Sequence, residues 1–272
     1  LYEAVEAVSQ FAIELGINVP TGKDSLSMKQ KYPNEEVISP GTVIISAAAN
    51  CNDIHKVVEP VFQKTETSGT GTIYYINLSQ DQFKLGGSSF AQVLNKIGND
   101  TPSIKDAQQF KNTFNTIQQL IKEYKIVSGH DVASGGLITT LLEMCFADVN
   151  LGAELDLTEL AEKDSVKLLF AENSGIVFQA TDNSVEQVLT NANIEFFNIG
   201  KVTNSDVLSI INHQEVFTLT VSRLRDVWYK TSFLLDQKQT ANNLAQDRFD
   251  NYKKQPLQYK FPKHFTGKLS DV

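Results

Sequence analysis

Ile126-Val127-Ser128-Gly129-His130-Asp131-Val132-Ala133-Ser134-Gly135-Gly136-Leu137 is the stretch that decides the fold. Ile126 to His130 reads as a short strand, and Gly135 to Ala147 as a helix. A strand running through a glycine-rich turn into a helix is a building unit of α/β folds. Working toward the N-terminus, Ser103 to Tyr124 is amphipathic, with Phe110, Phe114, Ile117, Leu120 and Ile121 on one helical face. Before it, Leu85-Gly86-Gly87-Ser88-Ser89 leads into a helix over Phe90 to Ile97, with Ser88 or Ser89 as its cap. Thr72 to Leu78 is a strand. Toward the C-terminus, Val166 to Phe170 leads into a strand over Gly175 to Ala180, followed by a helix over Val185 to Ala192. Phe196 to Val202, Val207 to Ile211 and Val216 to Val221 are strands, with a turn at Asn212-His213-Gln214. The alternation predicts an α/β (α+β) class: a mixed β-sheet with packed helices, the last strands forming hairpins.

The flanks read differently. Leu1, Val5, Val8, Phe11, Ala12 and Leu15 recur at helical spacing, and Gly16 is placed to end the helix. No capping residue precedes Leu1, and the expectation is a piece of a longer polypeptide. Ile17 to Val19 is strand-like, and Val37 to Ala49, apolar and β-branched, reads as a buried strand. Ser222 to Arg248 is helical, and Phe261 to Val272, with Pro262 and Gly267, reads as an interdomain linker. The expected division is a domain remnant over 1–54, a linker over 55–71, an α/β domain over 72–222, and a helical extension with linker over 223–272.

Composition narrows the function classes. The 272 residues are 41% hydrophobic, enough to fill a core and to exclude intrinsic disorder. No apolar run reaches the ~20 residues of a membrane-spanning helix. Against 32 Asp and Glu stand 24 Lys and Arg, for a net charge of −8, which argues against a nucleic-acid partner. The two cysteines, Cys51 and Cys145, cannot form a disulfide framework and read as reduced and buried. With no secretory signal visible, the expected location is the cytoplasm.

Two loops carry residue types suited to chemistry. In Gly22-Lys23-Asp24-Ser25, the glycine permits close approach, Lys23 supplies a point charge and Ser25 a hydroxyl. Such a loop suits a phosphate or an acidic substrate group, and a plain turn has the same composition. It is not a Walker A loop, whose upstream glycine and spacing are absent. In the second loop, Gly129 to Leu137, the amides at the helix start around Gly135 and Gly136 would face an anion. Asp131 at the strand end would hold a divalent cation bridging phosphates, or would only stabilise the turn. His130 would act as a base or bond locally. Glu172-Asn173 before the third strand would face a ligand or set a turn.

Four segments, in order, resemble the phosphoribosylformylglycinamidine synthase family in its large single-chain form. Pro20-Thr21-Gly22-Lys23-Asp24-Ser25-Leu26-Ser27-Met28 is similar to the family's Pro-Val-Gly-Lys-Asp-Ser-Met-Ser-Met, and Leu1 to Val5 to the helix before it. His130-Asp131-Val132-Ala133-Ser134-Gly135-Gly136-Leu137 resembles His-Asp-Arg-Ser-Asp-Gly-Gly-Leu. Leu168 to Gly175 and Leu224 to Trp228 resemble two further family segments. The resemblance implies the end of one synthetase domain plus a synthetase C-terminal-like domain, stopping before a glutaminase domain. It implies an ATP-dependent, glutamine-using ligase of purine biosynthesis, turning formylglycinamide ribonucleotide into its amidine. ATP or ADP and Mg²⁺ are the implied cofactors, and the rest of the parent polypeptide is the implied partner. By position, Asp131 matches a metal ligand of an auxiliary nucleotide site, and Ala133, Gly135 and Gly136 its phosphate side.

This chain departs from the pattern where it matters. Val132, Ala133 and Ser134 stand for Arg, Ser and Asp, so a hydroxyl contact is lost at Ala133. The family's other metal ligands fall before residue 1, and one carboxylate rarely holds Mg²⁺ against its hydration shell. The chain alone is therefore expected to be inactive. A scaffold module that docks the glutaminase without binding nucleotide is the alternative, as is another member of the same synthetase superfamily.

Overall fold

In the computed structural model, residues 1–23, 28–39, 41–51, 53–64 and 71–254 are described. The elements run α1 (Tyr2–Leu15), β1 (Lys29–Lys31), β2 (Glu36–Ile38), β3 (Thr72–Asn77), α2 (Ser89–Val93), α3 (Ala107–Lys122), β4 (Ile126–Val132) and α4 (Gly136–Phe146). They continue as β5 (Gly152–Asp156), α5 (Ser165–Phe170), β6 (Gly175–Ala180), α6 (Ser184–Asn191), β7 (Phe197–Thr203), β8 (Val207–Asn212), β9 (Glu215–Thr220), α7 (Val221–Gln239) and α8 (Leu244–Asn251).

Seven of the strands form one sheet in the order β4-β6-β3-β7-β5-β8-β9. Every pairing is antiparallel except β5 with β8, so the sheet is mixed and the class is α/β. β3 sits near the middle with β6 and β7 as neighbours, and Ile73, Tyr74, Tyr75 and Ile76 are all buried. Burial on both faces is what a continuous apolar run needs. Tyr74, Ile76, Phe178 and Ala180 pack with Ile117 and Leu120 of α3 and Val185 and Leu189 of α6. The alternate residues Ile73, Tyr75 and Val177 are buried on the opposite face. α4 lies against β4 and α5, and buries Leu137, Ile138, Leu141, Met144 and Cys145. Ser88 caps α2 and Asp106 caps α3, each by accepting a backbone N–H three residues on.

β4 is an edge strand, and the segment from Glu59 to Gln63 closes that edge. The Gly129 N–H donates to the Glu59 carbonyl at 3.1 Å, and the Phe62 N–H to the Met144 carbonyl at 2.9 Å. The buried Gln179 side chain completes the seal. Its Oε1 accepts from the Gln63 N–H at 2.9 Å and from Ser128 Oγ at 3.2 Å, and its Nε2 donates to the Gln63 carbonyl at 3.0 Å. An unpaired edge invites another chain, and this segment covers it.

Four expectations need correction. Val37 to Ala49 is not a buried strand: only Glu36–Ile38 is extended in a ladder, with Lys29–Lys31, and residues 41–50 are exposed. Both edges of β3 are already taken by β6 and β7, so that strand offers the run no partner. Ile17 to Val19 likewise forms no strand. Cys51, in the same uncovered run, is exposed, whereas burial pushes the Cys145 thiol up to about 12. β7 and β8 do not form a hairpin, because β5 lies between them; β8 and β9 do. β5 itself was not foreseen. Gly-Ala-Glu-Asp residues are poor strand formers, and pairing with β7 and β8 alone makes this segment extended.

The chain divides into two compact units at Val221/Ser222. In the second, two helices fold back on each other through Asn242 and Asn243, both in the left-handed region. Tyr229 stacks on Tyr252 at 4.2 Å and Phe233 on Phe249 at 4.4 Å. Arg248 grips the Asp236 carboxylate through Nε at 2.8 Å and through Nη2, and Asp226 accepts from the Tyr252 hydroxyl.

Candidate functional site

The turn between β4 and α4 lies where the sequence placed it. Gly135 is left-handed (φ 91°) and ends the turn; Gly136 opens the helix (φ 75°). Gly136 is also fixed by space, since a Cβ there would lie 2.7 Å from the Leu169 carbonyl oxygen and 2.8 Å from Phe170 Cα. α4 therefore starts in direct backbone contact with the end of α5.

Two amides of this turn, those of Gly135 and Gly136, already have partners. The Gly136 N–H donates to the Ala133 carbonyl at 3.0 Å. The Gly135 N–H donates to Glu172 Oε1 at 2.8 Å, and the same oxygen accepts the Ser89 N–H at 2.7 Å. A carboxylate at a helix start matches the partial positive charge there. Thus the chain's own Glu172 sits where an anion was expected. Asn173, fully buried, donates through Nδ2 to Ser79 Oγ at 3.0 Å and to the carbonyls of Asp81 and Gln82 at 3.1 and 3.2 Å. Glu172 and Asn173 therefore join distant loops instead of setting a local turn. No local pattern in the sequence announces this, because their partners lie 37 to 94 residues away.

Asp131 follows the Gly129–His130 pair, with its side chain 79% exposed. Its carbonyl accepts from Thr140 Oγ1 at 3.2 Å, which ties the strand end to α4. His130 is 19% exposed and lies between two carboxylates: Nε2 is 3.2 Å from Glu143 Oε2, and Nδ1 is 3.4 Å from Asp131 Oδ1, in ion-pair range without hydrogen-bond geometry. That is local pairing, the plainer of its two readings. Ala133 and Ser134 are exposed. Lys23 is exposed, and none of the hydrogen bonds or ion pairs among the described residues joins it to the turn. Asp24 and Ser25 lie outside the described residues.

Mg²⁺ does not fit this chain's residues by themselves. Among the described residues, no group of three or more His, Cys, Asp or Glu side chains is placed to hold a metal ion. Asp131 offers a single exposed carboxylate, Glu143 is paired with His130 Nε2, and a Mg²⁺ held by so few carboxylates depends on substrate phosphates for its remaining ligands.

One buried charge was not foreseen. The Asp81 side chain is 5% exposed and meets Lys105 Nζ at 3.2 Å and Lys84 Nζ at 3.3 Å. Burial by itself would raise its pKa, but hydrogen bonds from Lys105, the Gln82 and Ser103 amides and Lys84 outweigh it and bring the carboxyl down to about 2. Asp81 lines an open cleft of about 980 Å³ with Lys84, Asp100, Glu159, Lys167 and Glu195, and no residue of the 129–136 turn lines it. Among the described residues, no helix is long and apolar enough to cross a membrane.

Known proteins resemble this chain over nearly all of it. Residues 1–50 match the family described as FGAR-AT PurM_N-like domain. The "Probable phosphoribosylformylglycinamidine synthase, chloroplastic/mitochondrial" of Arabidopsis thaliana is 37% identical over 249 residues, covering 88% of this chain and 17% of that protein. The human phosphoribosylformylglycinamidine synthase is 36% identical over 246 residues, covering 88% of this chain and 18% of that protein. The chain thus spans under a fifth of the length of these relatives. The structure of T. maritima PurL complexed with FGAR is similar in fold, with a TM-score of 0.56 at 11% identity over 83% of this chain and 37% of that one. Residues 74–212, just over half the chain and six of the seven strands of the sheet, match the family described as AIR synthase related protein, C-terminal domain, and to that family the chain belongs.

Proposed function

We propose that this chain is one part of a longer ATP-dependent, glutamine-using ligase that converts formylglycinamide ribonucleotide into formylglycinamidine ribonucleotide. One observation carries the reading: identity of 36–37% to two synthases of that name runs through 88% of the chain, across the sheet and beyond it. In the proposed reaction, ATP transfers its γ-phosphoryl group to the amide oxygen and ADP leaves. Hydrolysis of glutamine to glutamate supplies ammonia, which adds to the amide carbon, and phosphate leaves with the former amide oxygen. The partners are the first synthetase half and a glutaminase domain of the same polypeptide, in the cytoplasm. The proposed division keeps a synthetase-domain remnant over 1–54, a connector over 55–71, the α/β domain over 72–222 and the helical extension over 223–272.

Within that enzyme, Asp131, Ala133, Gly135 and Gly136, with Lys23, are proposed to form one side of an auxiliary ATP or ADP site. The exposed Asp131 and Ala133 at a strand end support this. Asp131 alone does not suffice to hold Mg²⁺, and further ligands would have to come from the nucleotide and the rest of the parent. A second reading has its own support: Glu172 already holds the Gly135 amide, which favours a scaffold module that binds no nucleotide.

The test is calorimetric titration of the full-length parent with Mg·ADP, beside an Asp131→Ala variant. Micromolar binding that the variant loses supports the auxiliary site. A fully active parent that binds no ADP beyond its catalytic site supports the scaffold. A parent that forms no amidine from formylglycinamide ribonucleotide, glutamine and ATP overturns the ligase assignment.

A further inference from the structure

We infer that Glu172 is a positioning residue: one carboxylate oxygen clamps the starts of α2 and α4 together and so fixes the Asp131–Gly136 turn. Glu172 Oε1 accepts two backbone N–H groups, from Gly135 at 2.8 Å and from Ser89 at 2.7 Å. These donors are 46 residues apart and lie at the beginnings of two different helices. Bonds to an ionised acceptor are about twice as strong as neutral ones.

The surrounding packing makes Glu172 the meeting point of three helices. Phe90 of α2 stacks on Phe170 of α5 at 4.7 Å between ring centroids. Gly136 of α4 approaches the backbone of Leu169 and Phe170 so closely that a Cβ would not fit. Phe170 is the last residue of α5, two before Glu172. The end of α5 is thus a base on which α2 and α4 both start, and Glu172 is the polar tie across it.

The tie reaches Asp131 by a short route. The Gly136 N–H closes the turn on the Ala133 carbonyl at 3.0 Å. Thr140, one helical turn further on, donates its hydroxyl to the Asp131 carbonyl at 3.2 Å. Holding the α4 start therefore holds the Asp131 backbone. With the tie cut, the Gly135 and Ser89 amides lose their acceptor together, and two glycines in the left-handed region are free to explore other conformations.

The clamp itself is independent of what the turn binds; its bearing on a ligand rests on the nucleotide reading above. The test is hydrogen exchange on the full-length parent and on its Glu172→Ala and Glu172→Gln variants, read at Ser89, Gly135 and the β3 and β6 amides. Alanine is expected to cut protection at Ser89 and Gly135 together, by about tenfold or more, with β3 and β6 unchanged. Glutamine, whose Oε1 still accepts both bonds, is expected to restore most of it. Unchanged protection at Ser89 and Gly135 in the alanine variant would overturn the inference, as would loss at only one of the two. Loss spread equally over β3 and β6 would overturn it too, since that is a general loss of stability. Mg·ADP titration of the same proteins tests the other reading separately: a wild-type parent without an auxiliary nucleotide sinks that reading and leaves the exchange result to judge the clamp.

Discussion

Two apolar, β-branched runs in this chain meet opposite fates. Thr72 to Asn77 is β3, buried on both faces with a strand on each side. Val43, Ile44 and Ile45 belong to an equally apolar run, yet all three are exposed, Ile44 at 83%. Both runs have the composition of a strand. Among the described residues, only the first lies inside the seven-stranded sheet with helices packed over its side chains. Burial, then, is a property of neighbours: apolar content makes covering favourable, but the covering surface must come from elsewhere in the fold.

The contrast can be broken most forcefully at β5, which the composition of its own residues disfavours as a strand. A Cβ at Gly152 would lie 1.9 Å from the Val207 carbonyl oxygen and 2.7 Å from that of Ser205. Both are backbone, so β8 would have to move off. Gly152→Ala is expected to cost more than about 4 kcal/mol in urea unfolding, and a cost under about 1 kcal/mol would mean that β5 does not pair as described. Leu141→Ala in α4, where the side chain is fully buried, should cost about 3 kcal/mol. The same measurement on Ile44→Ala should show under about 0.5 kcal/mol, and a cost like that of Leu141 would show that the exposed run is covered in solution.

Between these extremes stands Asp81, a charge buried among cations. Its folded carboxyl titrates near 2, below the ordinary value of 3.8. The unfolded chain therefore takes up the proton first as pH falls. The stability this group contributes is complete above the unfolded value and is lost as pH drops through about 4 toward about 2. Urea midpoints of wild type and Asp81→Asn should be well separated near pH 7 and converge by about pH 2. A separation that stays constant with pH would assign the effect of the substitution to lost packing instead of charge. The smallest effect is again the Ile44 substitution, the control for all the others.

Much of the sheet was legible. Alternating and continuous apolar runs located β3, β4, β6, β7, β8 and β9, and the long amphipathic pattern located α3, trimmed at its start to Ala107 by the Asp106 cap. The Asn212-His213-Gln214 turn was also legible, and His213 there is left-handed (φ 53°). β5 was not, because Gly152, Glu154 and Asp156 show no strand preference. At the candidate site, the turn and its two glycines could be read from their spacing. Glu172 could only be weighed between two local roles, because both its partners are distant in sequence.

Most helices and strands, the position of the glycine turn and the resemblance that led to the family can be read from the linear chain. These depend on periodicity, caps and residue types within a few positions of each other, which the linear chain carries in full. The strand order, the insertion of β5 between β7 and β8, the exposure of residues 41–50 and the occupation of the Gly135 amide by Glu172 emerge only in the folded chain. Each of these is a pairing between segments tens of residues apart. Such pairings are chosen by which surfaces and hydrogen-bonding groups meet in space, and no short window of sequence contains both members.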